Sequence, residues 1–403
     1  MTYKETLEWM FAQLPMYQKL GKDALSHKLD KILLFSEHLG NPEKKFKSIH
    51  VAGTNGKGSS SHMLASILQE AGHKVGLYTS PHLKDFRERI RINGKTVGKK
   101  FVVDFISKNE SFFEENKLSF FEMTVGMAFD YFAKKNVDIA IVEVGLGGRF
   151  DSTNIITPEV SLITNIGLDH MDILGDTLGK IAYEKAGIIK ENVPIVVSEY
   201  QKEISEVFEG VAKLKNSKLA FASQTMEVEF ETSLLGNCQS KNIKGVVATL
   251  KELNGFDVRK KHIKTGLKKV VENTGLLGRW QILEKQPKIV CDTAHNREGL
   301  TLVLEQIEQQ KFDKLHIVLG FVKDKNLEAV LPLFPKSAVY YFCEPNIQRR
   351  LDADLLKDEA IKLGLKGRVY SSVKKAKKAA EKNASKSDFI FIGGSNFVVA
   401  EVV

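Results

Sequence analysis

A glycine-rich loop between a short apolar segment and a helical pattern constrains the fold of this chain more than any other feature. The loop runs from Gly53 to Ser59 and follows apolar residues that predict a strand over 48–52. Its glycines allow backbone amides to close around a phosphate without Cβ clashes. Lys57 can reach the outer phosphates, Ser59 can hold Mg²⁺, and the start of the next helix adds a positive dipole end. The sequence therefore predicts a nucleoside triphosphate site formed by Gly53, Thr54, Asn55, Gly56, Lys57, Gly58 and Ser59.

The loop departs from the strict P-loop pattern at two positions. That pattern has glycine at position 51 and serine or threonine directly after the lysine, whereas this chain has Val51 and Gly58. A strand-to-helix turn that merely needs glycine is the alternative interpretation. The lysine and the helical pattern after it favour the phosphate site.

Length and composition exclude several classes of protein. A chain of 403 residues is long enough for two domains, and contents of 43% hydrophobic and 27% charged residues are ordinary for a globular protein. The N-terminus lacks a signal-peptide pattern, and no apolar run is long enough for a membrane span. The three cysteines lack metal-ligand spacing. We therefore expect a cytoplasmic protein without a membrane partner.

The net charge of +9 does not by itself indicate a nucleic-acid partner. Lysines and arginines are spread along the chain, and the densest cluster, Lys374–Lys378, predicts the polar side of an amphipathic helix. A basic balance also suits small polyanionic substrates, because it raises their local concentration. We expect such substrates and no nucleic acid.

Apolar strands alternate with helical segments along most of the chain, which predicts an α/β fold with parallel sheets wrapped by helices. Glycines at 273–278 and a restart of the pattern predict a linker there. We therefore predict an ATPase-like domain over 1–275 and a smaller doubly wound, Rossmann-like domain over 276–403. The predicted strands are 48–52, 74–79, 137–144, 160–166, 194–198, 289–292, 315–320, 338–342, 368–371 and 389–392, with antiparallel edge strands within 219–233 and helices over 59–71 and 120–135.

Three polar residues of the first domain are candidates for chemistry. Glu143 ends an apolar strand before three glycines, which suits either a metal ligand beside a phosphate or a solvated strand end. His170 follows the next strand and could ligate a metal, orient substrate or be structural. Lys185 has small and apolar neighbours on a predicted helix, and the residues alone predict a surface lysine with a snorkelling stem.

Two segments of the second half are further candidates. Asp292 and His295 follow a strand, where their turn could hold a ribose hydroxyl and a base edge. An Asp/Asn-rich cap for the next helix is the alternative. Arg279 follows the predicted linker, and its guanidinium could bind a phosphate.

The ordered set of motifs resembles the folylpolyglutamate synthase and dihydrofolate synthase family, within the Mur-ligase superfamily of ATP-dependent amide-forming ligases. The resemblance covers nearly the whole chain, and several motifs in the right order are far more specific than any one of them. These motifs are Leu14–Gln18, Leu39–Pro42, Gly53–Ser59, Thr79–Leu83, Phe86–Ile90, Glu143–Arg149, Gly167–His170, Glu184–Gly187, Gly278–Arg279, Asp292–Asn296 and Gly394–Ser395.

The resemblance implies roles for the candidate residues. Lys57 and the loop amides would bind ATP phosphates, Ser59 and Glu143 would ligate a first Mg²⁺, and His170 would serve a second. Lys185 would be carbamylated, which makes it an anionic group that helps arrange the metals. The resemblance further assigns nucleotide contacts to Asn242, Arg279, Asp292 and His295, and the folate-side loop to Ser80, Pro81, His82 and Arg89.

The implied activity is ATP-dependent ligation of L-glutamate to a pteroate or folate carboxylate through an acyl phosphate. The partners would be dihydropteroate or a reduced folate, L-glutamate and ATP, and the resemblance implies a monomer. A bifunctional dihydrofolate synthase/folylpolyglutamate synthase is our first expectation. The alternatives are a monofunctional folylpolyglutamate synthase, a peptidoglycan-precursor Mur ligase, and a P-loop regulatory protein that performs no ligation.

The chain departs from the family pattern away from the phosphate and metal positions. Cys238 stands where histidine or tyrosine is usual, and Thr293 replaces the usual glycine. The segment Gln348–Arg350 replaces a common Pro-Arg-Ala. These departures concern packing against the nucleotide base and the contacts of the second domain.

Overall fold

The computed structural model describes residues 1–13, 29–227, 230–323 and 325–403. They form two compact units, one of Met1–Ser233 with Ser240–Gly275 and one of Leu234–Gln239 with Leu276–Val403. The segment Leu14–Gln18 lies outside the described residues. Within the described part of the chain, no helix is both long and apolar enough to cross a membrane.

The first unit contains an eight-stranded sheet of order β4-β3-β2-β5-β1-β6-β7-β8. The six strands from β2 to β8 in this order are parallel, and β3 and β4 are antiparallel additions at one edge. The strands are β1 Lys47–Ala52, β2 Val75–Tyr78, β3 Ile90–Ile92, β4 Lys95–Thr96, β5 Ile139–Glu143, β6 Val160–Ile163, β7 Ile195–Val197 and β8 Leu219–Phe221.

The central strands of this sheet are buried over nearly their whole length, as expected where helices cover both faces of a parallel sheet. Two separate hydrophobic clusters lie within the unit, one around Phe35 and Phe129 and the other around Ile163 and Ile195. The helices are α1 Tyr3–Ala12, α2 Asp30–His38, α3 Lys57–Glu70, α4 Lys99–Asn116, α5 Phe120–Lys134, α6 Met171–Leu174, α7 Leu178–Ala186, α8 Ser205–Leu214, α9 Ala222–Thr225, α10 Gln239–Glu252, α11 Lys260–Lys268 and α12 Val270–Thr274.

The predicted antiparallel strands within 219–233 are wrong. Only β8 forms there among the described residues, and it pairs in parallel with β7 before the chain turns into α9. The helix α8 connects β7 to β8, and a helical crossover joins parallel strands. The hairpin of β3 and β4 was not predicted, although Asn93-Gly94 at its turn is a common hairpin signal.

The second unit contains a six-stranded sheet of order β13-β12-β11-β14-β10-β9, parallel except for β9. Its hydrophobic core includes Trp280, Phe342 and Phe391. Lys374–Lys378 lies on a helix that buries Val373, Ala376 and Ala380, as an amphipathic pattern predicts. The elements are β9 Gln281–Lys285, β10 Lys288–Cys291, α13 Arg297–Glu308, β11 Leu315–Leu319, α14 Leu327–Val330, β12 Val339–Cys343, α15 Ala353–Lys362, β13 Gly367–Tyr370, α16 Val373–Asn383, β14 Phe389–Gly393 and α17 Asn396–Ala400.

Candidate active site

The carboxyl ends of four neighbouring strands bring the candidate residues of the first unit to one edge of its sheet. The glycine loop follows β1, and Glu143 is the last residue of β5 beside it. The segment at Thr164 follows β6 on the other side of β1, and Ser80 follows β2. Parallel α/β sheets place their ligands at this edge.

The glycine loop has a backbone that requires two of its glycines. Gly53 has φ 143°, and a Cβ there would lie 1.8 Å from Thr164 Oγ1. Gly56 has φ 84° and caps the start of α3, and a Cβ there would lie 2.4 Å from Asn242 Oδ1. The predicted residue Asn242 therefore lies directly beside the loop. Gly72 follows the end of α3 with φ 92°.

We expect Gly53→Ala to lower the free energy of unfolding by about 3 kcal/mol, because it adds a steric clash to an unfavourable backbone angle. Gly72→Ala is a matched control, since Gly72 also has a positive φ but nothing lies within 4 Å of a Cβ there. The control should cost about 1 kcal/mol. Urea denaturation measures both values, and equal losses in the two variants would contradict the steric argument.

The residues after β6 bind the glycine loop along its length. Thr54 donates its backbone amide to Asn165 O at 2.9 Å, and Asn55 donates its amide to Asn165 Oδ1 at 2.9 Å. Thr164 Oγ1 donates to Asn55 O at 2.5 Å, and Gly167 donates its amide to Thr54 Oγ1 at 2.9 Å. The loop is therefore fixed by a neighbouring strand end as well as by its own sequence.

Two lysine side chains meet at one carbonyl oxygen of the loop. Lys57 Nζ donates to Gly53 O at 2.9 Å and to Thr54 O at 3.2 Å. Lys185 Nζ donates to the same Gly53 O at 3.0 Å. Like charges so close to each other favour a nearby anion. The arrangement therefore forms a concentrated positive site on the loop.

The prediction from the residues alone that Lys185 lies on the surface is wrong, because only 4% of the side chain is exposed. It lies on the buried face of α7 with Ile181 and Ala182, which are four and three positions before it. Burial, with a smaller contribution from the charge of Lys57, lowers the pKa of the Lys185 ammonium to about 7. A substantial fraction of Lys185 is therefore a neutral amine near neutral pH.

We expect Lys185→Met to stabilise the fold by about 2 kcal/mol at about pH 6 in carbon-dioxide-free buffer. The folded pKa of about 7 lies below the ordinary value of 10.5, so the unfolded chain binds more protons between these values. The wild-type fold consequently gains stability as the pH rises through this range, and the difference between the proteins should shrink.

Urea denaturation at several pH values measures this difference. Lys180→Met, on the same helix, is the control, because Lys180 is 63% exposed and pairs with Asp176. A stability difference between Lys185→Met and the wild type that stays constant with pH would contradict the lowered pKa of Lys185.

Glu143 and Ser59 have the chemistry of a magnesium site next to bound phosphate. Both are buried, with 4% and 2% of their surfaces exposed, and Glu143 Oε2 accepts from the Ser80 amide at 3.1 Å. No three His, Cys, Asp or Glu side chains form a metal cluster within the described ranges. Magnesium in such sites is bound by one or two protein oxygens together with waters and substrate phosphates, so these residues fit the ion without such a cluster.

His170 lies on an exposed turn after β6. Its backbone has φ 51° and caps the short helix α6, and its Nε2 lies 4.0 Å from Asp169 Oδ2. The side chain is 44% exposed, so it is accessible to a ligand. The resemblance implied a second metal position here, and that role stays a prediction.

The glycine-rich segment after Glu143 packs against the helix that carries Lys185. A Cβ at Gly148 would lie 3.0 Å from Lys185 O, and one at Gly187 would lie 2.3 Å from Arg149 Cβ. Arg149 Nη2 also pairs with Glu184 Oε1 at 2.7 Å. These close approaches explain why glycines occur in both motifs.

The segment Thr79–Leu83 forms a second part of this edge. Ser80 and Pro81 are joined by a cis peptide bond. Arg89 Nε donates to His82 Nδ1 at 2.7 Å. Burial and the Arg89 charge lower the pKa of His82 to about 3, so its imidazole is neutral and its Nδ1 accepts. Phe120 lies under the Arg89 guanidinium, with 5.2 Å between them.

Candidate residues of the second unit gather around one turn. Asp292 Oδ2 accepts from the Trp280 amide at 2.6 Å, and Asp292 Oδ1 accepts from the Ala294 amide at 2.8 Å. Burial raises the pKa of Asp292, against the opposing charge of Arg279. His295 Nδ1 lies 2.9 Å from Thr293 O. Arg279, Asp292 and His295 are therefore neighbours within this unit.

The capping interpretation of this turn is confirmed for Asn296. Its side chain accepts from the Gly299 amide at 2.9 Å at the start of α13. Thr293, which departs from the family pattern, donates to Gly278 O at 3.1 Å. This bond ties the turn to the residue before Arg279.

Sequence reasoning did not single out Thr164, Asn165, Asn154 or the Arg149–Glu184 pair. Their partners are about 30 to 110 positions away in the chain, apart from the Asn154 contact with Arg149, so no local pattern predicts them. The available signal was positional, because Thr164 and Asn165 directly follow a strand end.

Comparison with known proteins agrees with this architecture. Residues 51–250 match the Mur ligase middle domain, and residues 278–396 match the Mur ligase glutamate ligase domain. A Bacillus subtilis dihydrofolate synthase/folylpolyglutamate synthase is 33% identical over 354 residues, which cover 80% of each chain. A probable bifunctional folylpolyglutamate synthase/dihydropteroate synthase of Haloferax volcanii is 30% identical over 431 residues. That match covers 100% of this chain, but the chain spans only 50% of the Haloferax protein.

Solved structures give the same result. Escherichia coli FolC in complex with DHPP and ADP superposes with a TM-score of 0.82 and 29% identity, covering 93% of this chain and 92% of the other. A bifunctional folylpolyglutamate synthase/dihydrofolate synthase with Mn, AMPPNP and L-glutamate bound has a TM-score of 0.84 and 26% identity, covering 100% and 97%. With its two Mur ligase domains, its glycine loop and these relatives, the chain belongs to the dihydrofolate synthase/folylpolyglutamate synthase family of Mur ligases.

Proposed function

We propose that this chain uses ATP to join L-glutamate to the carboxylate of a pteroate or folate, and that it acts as both dihydrofolate synthase and folylpolyglutamate synthase. The observation that carries the proposal is the meeting of Lys57 and Lys185 at Gly53 O. The Lys57 ammonium brings positive charge to the loop whose amides would hold a triphosphate, and the Lys185 amine that we propose to be carbamylated lies beside it. Family membership supplies the substrate class.

The reaction solves a chemical problem, because a free carboxylate is a poor electrophile. Its oxygen attacks the γ-phosphorus of ATP, the bond to ADP breaks, and an acyl phosphate forms. The amine of glutamate then attacks the acyl carbon, loses a proton and forms an amide. Inorganic phosphate leaves with one oxygen of the original carboxylate.

The protein contributes mainly positioning and electrostatic stabilisation. In this proposal Lys57 exchanges its bonds to Gly53 O and Thr54 O for phosphate oxygens. The amides of the glycine loop and the start of α3 hold the remaining phosphate charge. Asn165 and Thr164 keep the loop in its shape while this exchange occurs.

Divalent cations have a place in this proposal at Ser59 and Glu143, with His170 at a second position. Magnesium bound there would neutralise charge on the transferring phosphoryl group. Glu143 is held for this role by the Ser80 amide. The relative whose structure contains Mn and AMPPNP supports the use of a divalent metal.

Lys185 is the residue that we propose to be carbamylated. Its neutral amine attacks carbon dioxide, a carbon–nitrogen bond forms, one carbon–oxygen π bond opens, and a proton is released, so that the amine becomes a carbamate anion. The low pKa of about 7 supports this step, because only the neutral amine is nucleophilic. Its position next to Gly53 would place the carbamate beside the phosphate site.

The remaining predicted residues divide by unit. We assign residues 1–275 to ATP and the folate side, with Ser80, Pro81, His82 and Arg89 near the pterin compound and Asn242 beside the loop at Gly56. We assign residues 276–403 to further nucleotide contacts through Arg279, Asp292 and His295. Their shared turn around Gly278 supports this assignment.

Phosphate release tests the proposal directly. The chain is incubated with ATP, magnesium, bicarbonate and L-glutamate, with dihydropteroate in one arm and tetrahydrofolate in another. Release in both arms supports the bifunctional enzyme, and release in one arm shows a monofunctional enzyme. Phosphate release only with a UDP-sugar peptide precursor would indicate a peptidoglycan ligase. ATP hydrolysis at the same rate with and without glutamate would contradict the proposed ligation.

We also propose a cytoplasmic monomer. Cys238, Cys291 and Cys343 form no disulfide within the described residues, which suits a reducing compartment. The resemblance to the family supports the monomer. Light scattering at the concentration used for the assays would measure the mass of the protein in solution. A stable dimer would contradict the proposed monomer.

A further inference from the structure

We propose that Asn154 is a positioning residue that clamps the glycine segment after Glu143 to the helix that carries Lys185. This inference rests on the proposed function for its effect on turnover. Asn154 lies on the turn Ser152–Ile155 and is 5% exposed. No role was predicted for it from the sequence.

The side-chain amide of Asn154 joins two separate segments. Its Nδ2 donates to Arg149 O at 3.1 Å and to Gly187 O at 3.0 Å. Arg149 ends the segment that begins at Glu143, and Gly187 follows Lys185 by two residues. One buried donor group therefore connects the ends of the two segments that carry the proposed metal ligand and carbamate.

The hydrogen bonding of Asn154 indicates a specific role for its donor side. Its Oδ1 is buried and has no hydrogen-bond partner within the described part of the chain. Burying an acceptor without a hydrogen-bond partner costs free energy. The bonds that Nδ2 donates are therefore what the Asn154 side chain contributes to the structure. Its backbone oxygen also accepts from Lys190 Nζ at 2.7 Å, which fixes the turn itself.

The contacts continue from Asn154 to the glycine loop. The Arg149 amide donates to Glu184 O at 2.8 Å, which draws the same segment against α7. Lys185, one residue later, reaches Gly53 O. Loss of the Asn154 clamp should therefore move Lys185 relative to Gly53, and misplacement by about 1 Å can cost a large factor in rate.

Asn154→Ala tests the clamp, with Asn109→Ala as the matched control. Asn109 is also buried at 2% exposure, and its Nδ2 donates to Phe105 O at 2.8 Å within α4. Its Oδ1 lies 2.9 Å from His38 Nε2 on α2, so its contacts do not involve the glycine loop or α7. We expect Asn154→Ala to lower kcat by about 10- to 100-fold while KM for ATP changes by no more than about threefold. Asn109→Ala should keep kcat within about twofold at a similar loss of thermal stability.

Hydrogen exchange gives a readout that does not depend on the reaction. The amides of Ile188 and Ile189 bond to Lys185 O and Ala186 O at 3.2 and 3.0 Å, so they report on the end of α7. We expect about tenfold faster exchange there in Asn154→Ala than in Asn109→Ala.

The two readouts separate failure of the clamp from failure of the proposed function. Unchanged exchange at the end of α7, or a kcat within about twofold of the wild type, would overturn the positioning role. A wild-type protein that turns over no pterin substrate would overturn the proposed function, and the exchange result would then decide the clamp by itself.

Discussion

Lys57→Ala should lose turnover by about three orders of magnitude while the protein remains folded. The proposed role of Lys57 is to hold the transferring phosphoryl group, and no other described side chain donates to both Gly53 O and Thr54 O. The fold should survive because Gly53 O keeps its bond from Lys185 Nζ. Phosphate release and thermal unfolding measure the two effects.

Lys218→Ala is the control for this substitution. Lys218 is 68% exposed and pairs with Glu252 at 2.8 Å, away from the loop residues. Its removal should leave turnover within about twofold of the wild type. Near-normal turnover in Lys57→Ala would exclude the proposed phosphate role.

Lys185→Ala should lower turnover by about 100-fold and abolish any response to bicarbonate. In wild-type protein stripped of carbon dioxide, we expect low activity that bicarbonate restores. The increase in activity on adding bicarbonate should become larger as the pH rises through about 7, because the neutral amine of Lys185 becomes the major form above that pKa. A lysine with the ordinary pKa of 10.5 would have little neutral amine at this pH.

Carbon NMR with isotopically labelled bicarbonate can detect the carbamate directly. The signal should be present in the wild type and in Lys180→Ala, whose lysine is exposed on the same helix. It should be absent in Lys185→Ala. If bicarbonate does not change the wild-type activity and no carbamate signal appears, Lys185 is not carbamylated and acts as an amine or ammonium.

Local patterns in the sequence predicted the glycine loop and the strands whose carboxyl ends lie beside it. The loop is recognisable because its glycines, Lys57 and α3 follow one another directly. Glu143 could be found for the same reason, since it ends a strand before a glycine segment. The alternation of strands and helices predicted the strands of both sheets except β3, β4 and β9, and it gave the wrong direction for β8.

The rest depends on contacts between distant parts of the chain. Lys185 lies on the face of α7 that Ile181 and Ala182 bury, and that spacing was a usable sign of burial. The bonds from Thr164 and Asn165 to the loop cross about 110 positions, and those from Asn154 to Gly187 cross 33. Such contacts follow from the order of the strands in the sheet, which the sequence alone does not reveal.

Transfer of oxygen from the substrate acid to phosphate tests the central claim most directly. Dihydropteroate or tetrahydrofolate carrying heavy oxygen in the reacting carboxylate is converted with ATP and L-glutamate, and the released phosphate is analysed by mass spectrometry. If ATP activates the carboxylate as an acyl phosphate, each phosphate released with product carries one heavy oxygen atom. Product formation with unlabelled phosphate would contradict the account.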